Sequence, residues 1–176
     1  GIHAEVPGLK AMLLQKTKFK TLEEAAEGFA KREIERNPGE MFFFSNIGPS
    51  IVGRILEIVS KKPFDRIVAE KLLRPLRMRQ TNFYIDYDKA IDPGTGALST
   101  ANDYINFLTM LVNKGMFEGK RILSEKSIAE MQKMQTGSAV IKYTPPAAAG
   151  FDFGFGTWIL DKDASGSATV VSGSPG

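Results

Sequence analysis

Apolar positions recur at helical spacing along most of the first 134 residues, broken by short polar and proline-glycine punctuation. Thr21 and Glu24 form a T-x-x-E capping box, in which side chains satisfy the free amides of a helix start. Leu22, Ala25, Ala26, Phe29 and Ile34 then share one helical face. The stretch 37–40, NPGE, is expected to stop that helix and turn the chain. A second helix is predicted over 47–60, with Ile47, Ile51, Val52, Ile55, Ile58 and Val59 as one broad core face. Pro63 suits the first turn of a third helix, packed through Phe64, Ile67, Val68 and Leu72 and ending at Pro75.

Residues 81–98 read as irregular, with DPGTGA as turn chemistry. Ser99 is the expected N-cap of a helix over about 100–113, packed through Tyr104, Ile105, Leu108, Leu111 and Val112, with Gly115 at C′. Ser124 is expected to cap a fifth helix over about 125–134. The stretch before residue 21 lacks a clean period and reads as a loop with a helical turn near Ala11–Gln15. Past the loop TPPAAAG the character changes. FDFGFGTWIL at 151–160 reads as a strand, DKDASGS as a turn, and ATVV at 168–171 as a second strand. Two strands alone are marginal in water. The expected class is therefore α+β: a helical subdomain over 1–150 and, over 151–176, an antiparallel strand pair from a sheet that a larger protein completes.

Composition narrows the chemistry. The 176 residues are 43% hydrophobic and 24% charged, an ordinary globular mixture long enough for a real core. Net charge is +3, and the densest basic cluster, KTKFK at 16–20, is too short for a nucleic-acid footprint. It reads as a solvated face. Cysteine is absent, which excludes disulfides, thiolate metal sites and cysteine nucleophiles. No apolar run approaches a membrane span, and no signal peptide is visible. The single histidine, His3, rules out a zinc site built on several histidines. A Ser-His-Asp triad would have to use it, and a surface loop position is its ordinary reading. Gly94 and Gly96 resemble a phosphate loop only superficially, because no strand–loop–helix with lysine follows.

One stretch raises a functional question. In MFFFSNIGPSIVG, residues 41–53, Ser45 and Asn46 stand at a helix entrance after three phenylalanines. Residue type alone favours a helix cap. The alternative is a pair of polar groups aimed into a cleft.

The wider pattern bears on that choice. NPGEMFFFSNIGPSIVGRILEIVSKKPFDRIVAEKLLRPLRMRQTNFY resembles the P-G-x-x-F-x-Y-S-N-x-G and P-L-G-M-x-x-T-x-F stretches of the serine β-lactamase and penicillin-binding-protein superfamily, in its class C-like branch of β-lactamases, D-alanyl peptidases and esterases. GTGALSTANDYINFLTMLVNKG at 94–115 is similar to that branch's G-G-L-x-S-T-x-x-D stretch, and FGFGTWI with SGSPG resembles the strand pair leading to its third motif. The resemblance covers most of residues 37–176 and rests on the order and spacing of these pieces. It implies a β-lactamase/transpeptidase-like fold and an acyl-serine mechanism on an amide, lactam or ester. It implies no metal or organic cofactor, a small-molecule or peptide substrate, and a periplasmic or extracellular setting.

Three family motifs carry that chemistry. In S-x-x-K, one helical turn sets a lysine beside the serine hydroxyl so that it can take its proton. No serine of this chain has lysine three positions on, and Gly1-Ile2 is similar to the end of a family stretch downstream of that motif. The nucleophile is accordingly expected upstream of residue 1. The second motif, Y-x-N, is matched by Phe44-Ser45-Asn46. By resemblance Asn46 keeps the asparagine's role of bonding the lysine and the substrate amide, whereas Phe44 has no proton to exchange. The third, K-T-G or H-x-G, is matched by Ser174-Pro175-Gly176, with Val171-Ser172-Gly173 as a rival register. The glycine permits close approach to substrate, and Ser174 offers a hydroxyl without positive charge. A catalytically inactive homologue that uses the same cleft for binding is the second expectation, motivated by Phe44. An unrelated helical interaction module is the third.

Overall fold

The structure, a computed structural model, describes residues 19–33, 37–83, 90–137, 139–144 and 146–167. In chain order its elements are α1 (Leu22–Ala30), β1 (Met41–Phe43), α2 (Ile47–Ser60), α3 (Phe64–Val68), β2 (Asn82–Phe83), β3 (Ala97–Leu98) and α4 (Ala101–Val112). Then follow β4 (Met116–Phe117), β5 (Lys120–Arg121), α5 (Glu125–Met131), β6 (Val140–Tyr143), β7 (Asp152–Phe153) and β8 (Trp158–Ile159). Helices and short strand pairs together make the α+β class expected. These elements form two compact units: the described residues of 1–36 with 45–104, and those of 37–44 with 105–176. The chain passes from one unit to the other between Phe44 and Ser45.

In the first unit, α1 starts at the expected cap: Thr21 Oγ1 accepts the Glu24 N–H at 3.1 Å. The Glu24 carboxylate reaches back to the Lys20 N–H, at 2.8 Å, one residue before the cap. The helix closes at Ala30 with Lys31 as its C-cap, so it ends before NPGE. Helix α2 has the expected bounds. Its inner side is pinned where Gly53 meets Leu22, Phe64 and Pro93, and where Arg54 pairs with both Glu23 and Glu57.

The expected core face of α2 needs correction. Ile47 is buried, but Val52, Ile55, Ile58 and Val59 are exposed, Val59 at 77%. Helical period says which residues share a face; it does not say which face a neighbour covers. Leu22, Phe64, Leu73, Leu76 and Met78 supply the core of this unit instead. Pro63 holds the N-cap position of α3, and Glu57 Oε1 accepts the Phe64 N–H at 3.0 Å. The helix continues as a π-turn over Ala69–Leu73, and Pro75 lies in the turn that ends it.

The strands β2 and β3 pair antiparallel, Asn82 with Leu98 and Phe83 with Ala97. The cap of α4 is Thr100, whose Oγ1 accepts the Asp103 N–H at 3.3 Å, while Ser99 Oγ bonds Thr81 Oγ1. The expected cap was thus one residue early. At the other end the Lys114 N–H meets the Leu111 carbonyl and the Gly115 N–H meets the Met110 carbonyl. That is a Schellman closure with Lys114, at φ 51°, in the C′ position and Gly115 one step beyond. Of the residues expected to pack α4, Leu111 is buried, but Tyr104, Ile105 and Val112 are exposed; Met110 is fully buried instead.

In the second unit, β1 lies parallel to β6, with the register shifting between Phe42 and Phe43. Ser124 caps α5 as expected, its Oγ accepting the Ser127 N–H at 3.0 Å; the helix stops at Met131, three residues short of the expected end at 134. The single strand expected over 151–160 is instead a tight hairpin. Asp152 pairs with Ile159 and Phe153 with Trp158, and the chain turns through 154–157. Glycine explains the break: a Cβ on Gly154 would lie 2.3 Å from the Met131 carbonyl oxygen. The hairpin is seated on the end of α5 by the Phe155 N–H (2.9 Å) and Thr157 Oγ1 (3.2 Å), both donating to that carbonyl. The strand expected over 168–171 and the short turn near Ala11–Gln15 lie outside the described residues. No helix among the described residues is long and apolar enough to cross a membrane.

Candidate active site

Phe44 follows β1 directly, and the β7–β8 hairpin decides what surrounds it. Its ring centroid is 5.5 Å from Trp158 and 6.0 Å from Phe153. Phe42, two residues back on β1, is 5.2 Å from Phe153 and 6.3 Å from Trp158. Phe153 and Trp158, cross-strand partners, are 4.8 Å apart at 61°. These separations and tilts suit attractive edge and offset contacts between rings. Trp158 is 2% exposed, whereas Phe42, Phe44 and Phe153 are half-buried. At the position where the resemblance implies a tyrosine hydroxyl, this chain presents the rim of an aromatic cluster.

Asn46 occupies the N-cap position of α2 but does not act as a cap. Its backbone is helical, at φ −83° and ψ −6°, and its side chain makes no capping bond. The local turn is closed by Ser45 instead, whose Oγ accepts the Ile47 N–H at 3.2 Å. Among the described residues no hydrogen bond is made by the Asn46 amide. Of the two residues, Ser45 and not Asn46 supplies the local side-chain bond at this helix entrance.

A turn flanks that carboxamide. A Cβ on Gly94 would stand 3.4 Å from Asn46 Oδ1, so glycine leaves the space beside the amide open. Asp92 holds the turn in shape: its Oδ1 accepts the N–H groups of Gly94 (2.8 Å) and Thr95 (3.2 Å), and its carbonyl accepts that of Gly96 (2.9 Å). Reading DPGTGA as turn chemistry identified the shape; its place beside Asn46 was not visible in sequence.

Two further residues escaped the sequence reading. Asp103 is buried and accepts from the Gln80 N–H at 2.7 Å and Thr81 Oγ1 at 2.8 Å, tying the strand entering β2 to the start of α4. Its position in S-T-x-x-D was the available signal. Trp158, within the segment expected as a strand, is a buried member of the cluster around Phe44. Ser174, Pro175 and Gly176, the rival register 171–173, and His3 all lie outside the described residues. Among the described residues no group of three or more metal-ligating side chains converges.

Chemically, the described part supplies a carboxamide able to donate and accept, and beside it in sequence an apolar ring without a proton to give. Neither a nucleophile nor a base is among these groups.

Comparison with known proteins gives the family and the fold. Residues 4–176 match the family model described as Beta-lactamase. A protein from Bacteroides dorei, assigned as a β-lactamase, superposes with a TM-score of 0.78 at 26% identity, covering 96% of this chain and 52% of its own. An octameric penicillin-binding protein homologue from Pyrococcus abyssi gives a TM-score of 0.60 at 25% identity over 80% of this chain and 35% of its own. In sequence, Protein Rv1367c of Mycobacterium tuberculosis is 26% identical over 56% of this chain and 32% of its own length. The chain thus spans about a third of that curated relative and about half of the Bacteroides protein. With the family model matched over nearly its whole length and the fold shared, the chain belongs to the β-lactamase family.

Proposed function

We propose that this chain is part of a serine hydrolase that forms an acyl-serine on an amide, lactam or ester and then hydrolyses it. The observation that carries the reading is Asn46: a residue at a helix cap position whose side chain is not used for capping. Such a group suits orientation of a substrate amide, as the family motif has it. The nucleophile and its lysine belong, in this reading, to sequence outside these 176 residues, since no S-x-x-K occurs within them. Ser174, Pro175 and Gly176, the match to the third motif, are the proposed substrate-binding residues, with the glycine allowing close approach. The setting proposed is periplasmic or extracellular, which cell fractionation tests.

One observation favours a second reading. Phe44 brings no hydroxyl to the place of the tyrosine and is held among aromatic rings. A homologue that binds a penicillin-like or peptide ligand without turning it over fits that feature. Incubating the full-length protein with a fluorescent penicillin and with a p-nitrophenyl ester separates the two. Ester turnover supports the hydrolase; stable labelling alone points to a slow or binding-only protein. Neither labelling nor turnover ends the acyl-serine reading.

A further inference from the structure

The 92–96 turn has no hydrogen-bond donor left over. Pro93 carries no N–H. Those of Gly94 and Thr95 go to Asp92 Oδ1, at 2.8 and 3.2 Å, and that of Gly96 goes to the Asp92 carbonyl at 2.9 Å. The Thr95 hydroxyl donates to the second carboxylate oxygen, Oδ2. Asp92, itself half-buried, accepts from every donor in the turn. The turn is also seated on α2 at two places. A Cβ on Gly53 would lie 2.8 Å from Pro93 Cγ, so a bare Cα there admits the proline ring. A Cβ on Gly94 would lie 3.4 Å from Asn46 Oδ1 and 3.5 Å from Asn46 Cβ. Asn46 and Gly53, seven positions apart, fall on one helix face. All these residues belong to the first unit. The half-buried Asn46 therefore has a stiff, internally bonded neighbour that restricts its side chain without bonding it. A carboxamide without such a neighbour turns over a broad range about its last torsion.

We propose that Asp92 is a positioning residue for Asn46: by locking the 92–96 turn against α2, it holds the carboxamide in one orientation. With Asp92 truncated, the turn loosens and the amide gains freedom that binding a substrate must then remove. The orientation stands on the geometry of α2 and the turn. Its consequence for turnover rests on the reading of Asn46 as a substrate contact.

The direct test is nitrogen-15 relaxation of the Asn46 side-chain amide in the full-length protein, assigned through Asn46→Ala. The amide should be ordered in the unmodified protein and less ordered in folded Asp92→Ala. Asp92→Asn should restore the order, because its Oδ1 can accept the same two N–H groups. An amide already freely mobile in the unmodified protein, or equally ordered in Asp92→Ala, overturns the proposal. Should Asp92→Ala fail to fold, Gly94→Ala sets a methyl group against Asn46 Oδ1 and should shift the same resonances; unmoved resonances overturn the proposal. Ester kinetics then separate it from the hydrolase reading. Asp92→Ala should lower kcat/KM roughly two- to tenfold, the effect of having to immobilise one side chain on binding, and should lower it no further in an Asn46→Ala background. An equal loss with and without Asn46 overturns the positioning role and leaves the hydrolase. Asn46→Ala without kinetic effect overturns the substrate contact, and the relaxation data still decide the positioning.

Discussion

At the scale of single residues, Asn46 and Phe44 carry opposite messages. Asn46 makes no capping bond, so Asn46→Ala should leave stability within about 0.5 kcal/mol, the range of substitutions that remove no special contact. Were it a true cap, the same change would cost about 0.5–2 kcal/mol. If the full-length protein is the hydrolase proposed and Asn46 orients its substrate, the same change should lower kcat by on the order of 10²–10³. Thermal melts and ester kinetics on one variant thus decide between a cap and a substrate contact. Phe44→Tyr tests the missing hydroxyl. If an absent acid–base group limits turnover, the variant should gain rate, with about 10²–10⁴ as the ceiling for such a group. An unchanged rate would mean that proton transfer takes another route. Away from the site, hydrogen bonding from the Ser165 hydroxyl, with the backbone N–H of Ser167, holds the Asp163 carboxyl below the ordinary aspartate range. A depressed folded value means the turn is favoured by the ionised form. That support is present above the unfolded aspartate value and is lost as pH falls through the folded one. Ser165→Ala should raise the Asp163 titration midpoint, measurable by carboxyl-carbon NMR.

At the scale of elements, short-range chemistry was the legible part. Thr21 and Ser124 cap their helices as read, because an N-cap bond spans three residues and depends on little else. The α4 cap shows the limit. Ser99 and Thr100 are both good caps by type, and the tie was broken from outside the helix, by the hydroxyl of Thr81 claiming Ser99. Thr100→Ala should therefore cost about 0.5–2 kcal/mol, with Ser99→Ala costing less, in parallel denaturant melts. The β7–β8 hairpin is the corresponding case among strands. FDFGFGTWIL has strand composition, but close approach to the Met131 carbonyl requires a bare Cα at Gly154 and folds the segment back on itself. Gly154→Ala should push the hairpin off α5 and move Trp158 away from Phe44, visible as a change in tryptophan emission and a loss of stability above about 1 kcal/mol.

At the scale of the whole molecule, α2 is apolar on two sides and covered on one. Val52, Ile55, Leu56 and Val59, spaced at 3, 4 and 7 positions, form an exposed ridge over two turns. Exposed apolar patches of this kind mark contact surfaces or association hazards. The isolated chain should bind a hydrophobic dye. Ile55→Lys with Val59→Lys should reduce that binding while leaving the melting temperature nearly unchanged, since both side chains are mostly exposed. Equal dye binding by the double variant would place the accessible apolar surface elsewhere.

What the sequence determined by itself was local: where helices begin, that the chain mixes helices with short strands, and the order of motif pieces that marks the β-lactamase family. These follow from hydrogen bonds and periodicities spanning a few residues, or from spacing along the chain. Tertiary structure alone decided which face of α2 is covered, that among the described residues the Asn46 amide makes no hydrogen bond beside the 92–96 turn, and that Trp158 meets Phe44. Those outcomes depend on which distant segments reach a given side chain, and pattern along the chain carries no record of who the neighbours are.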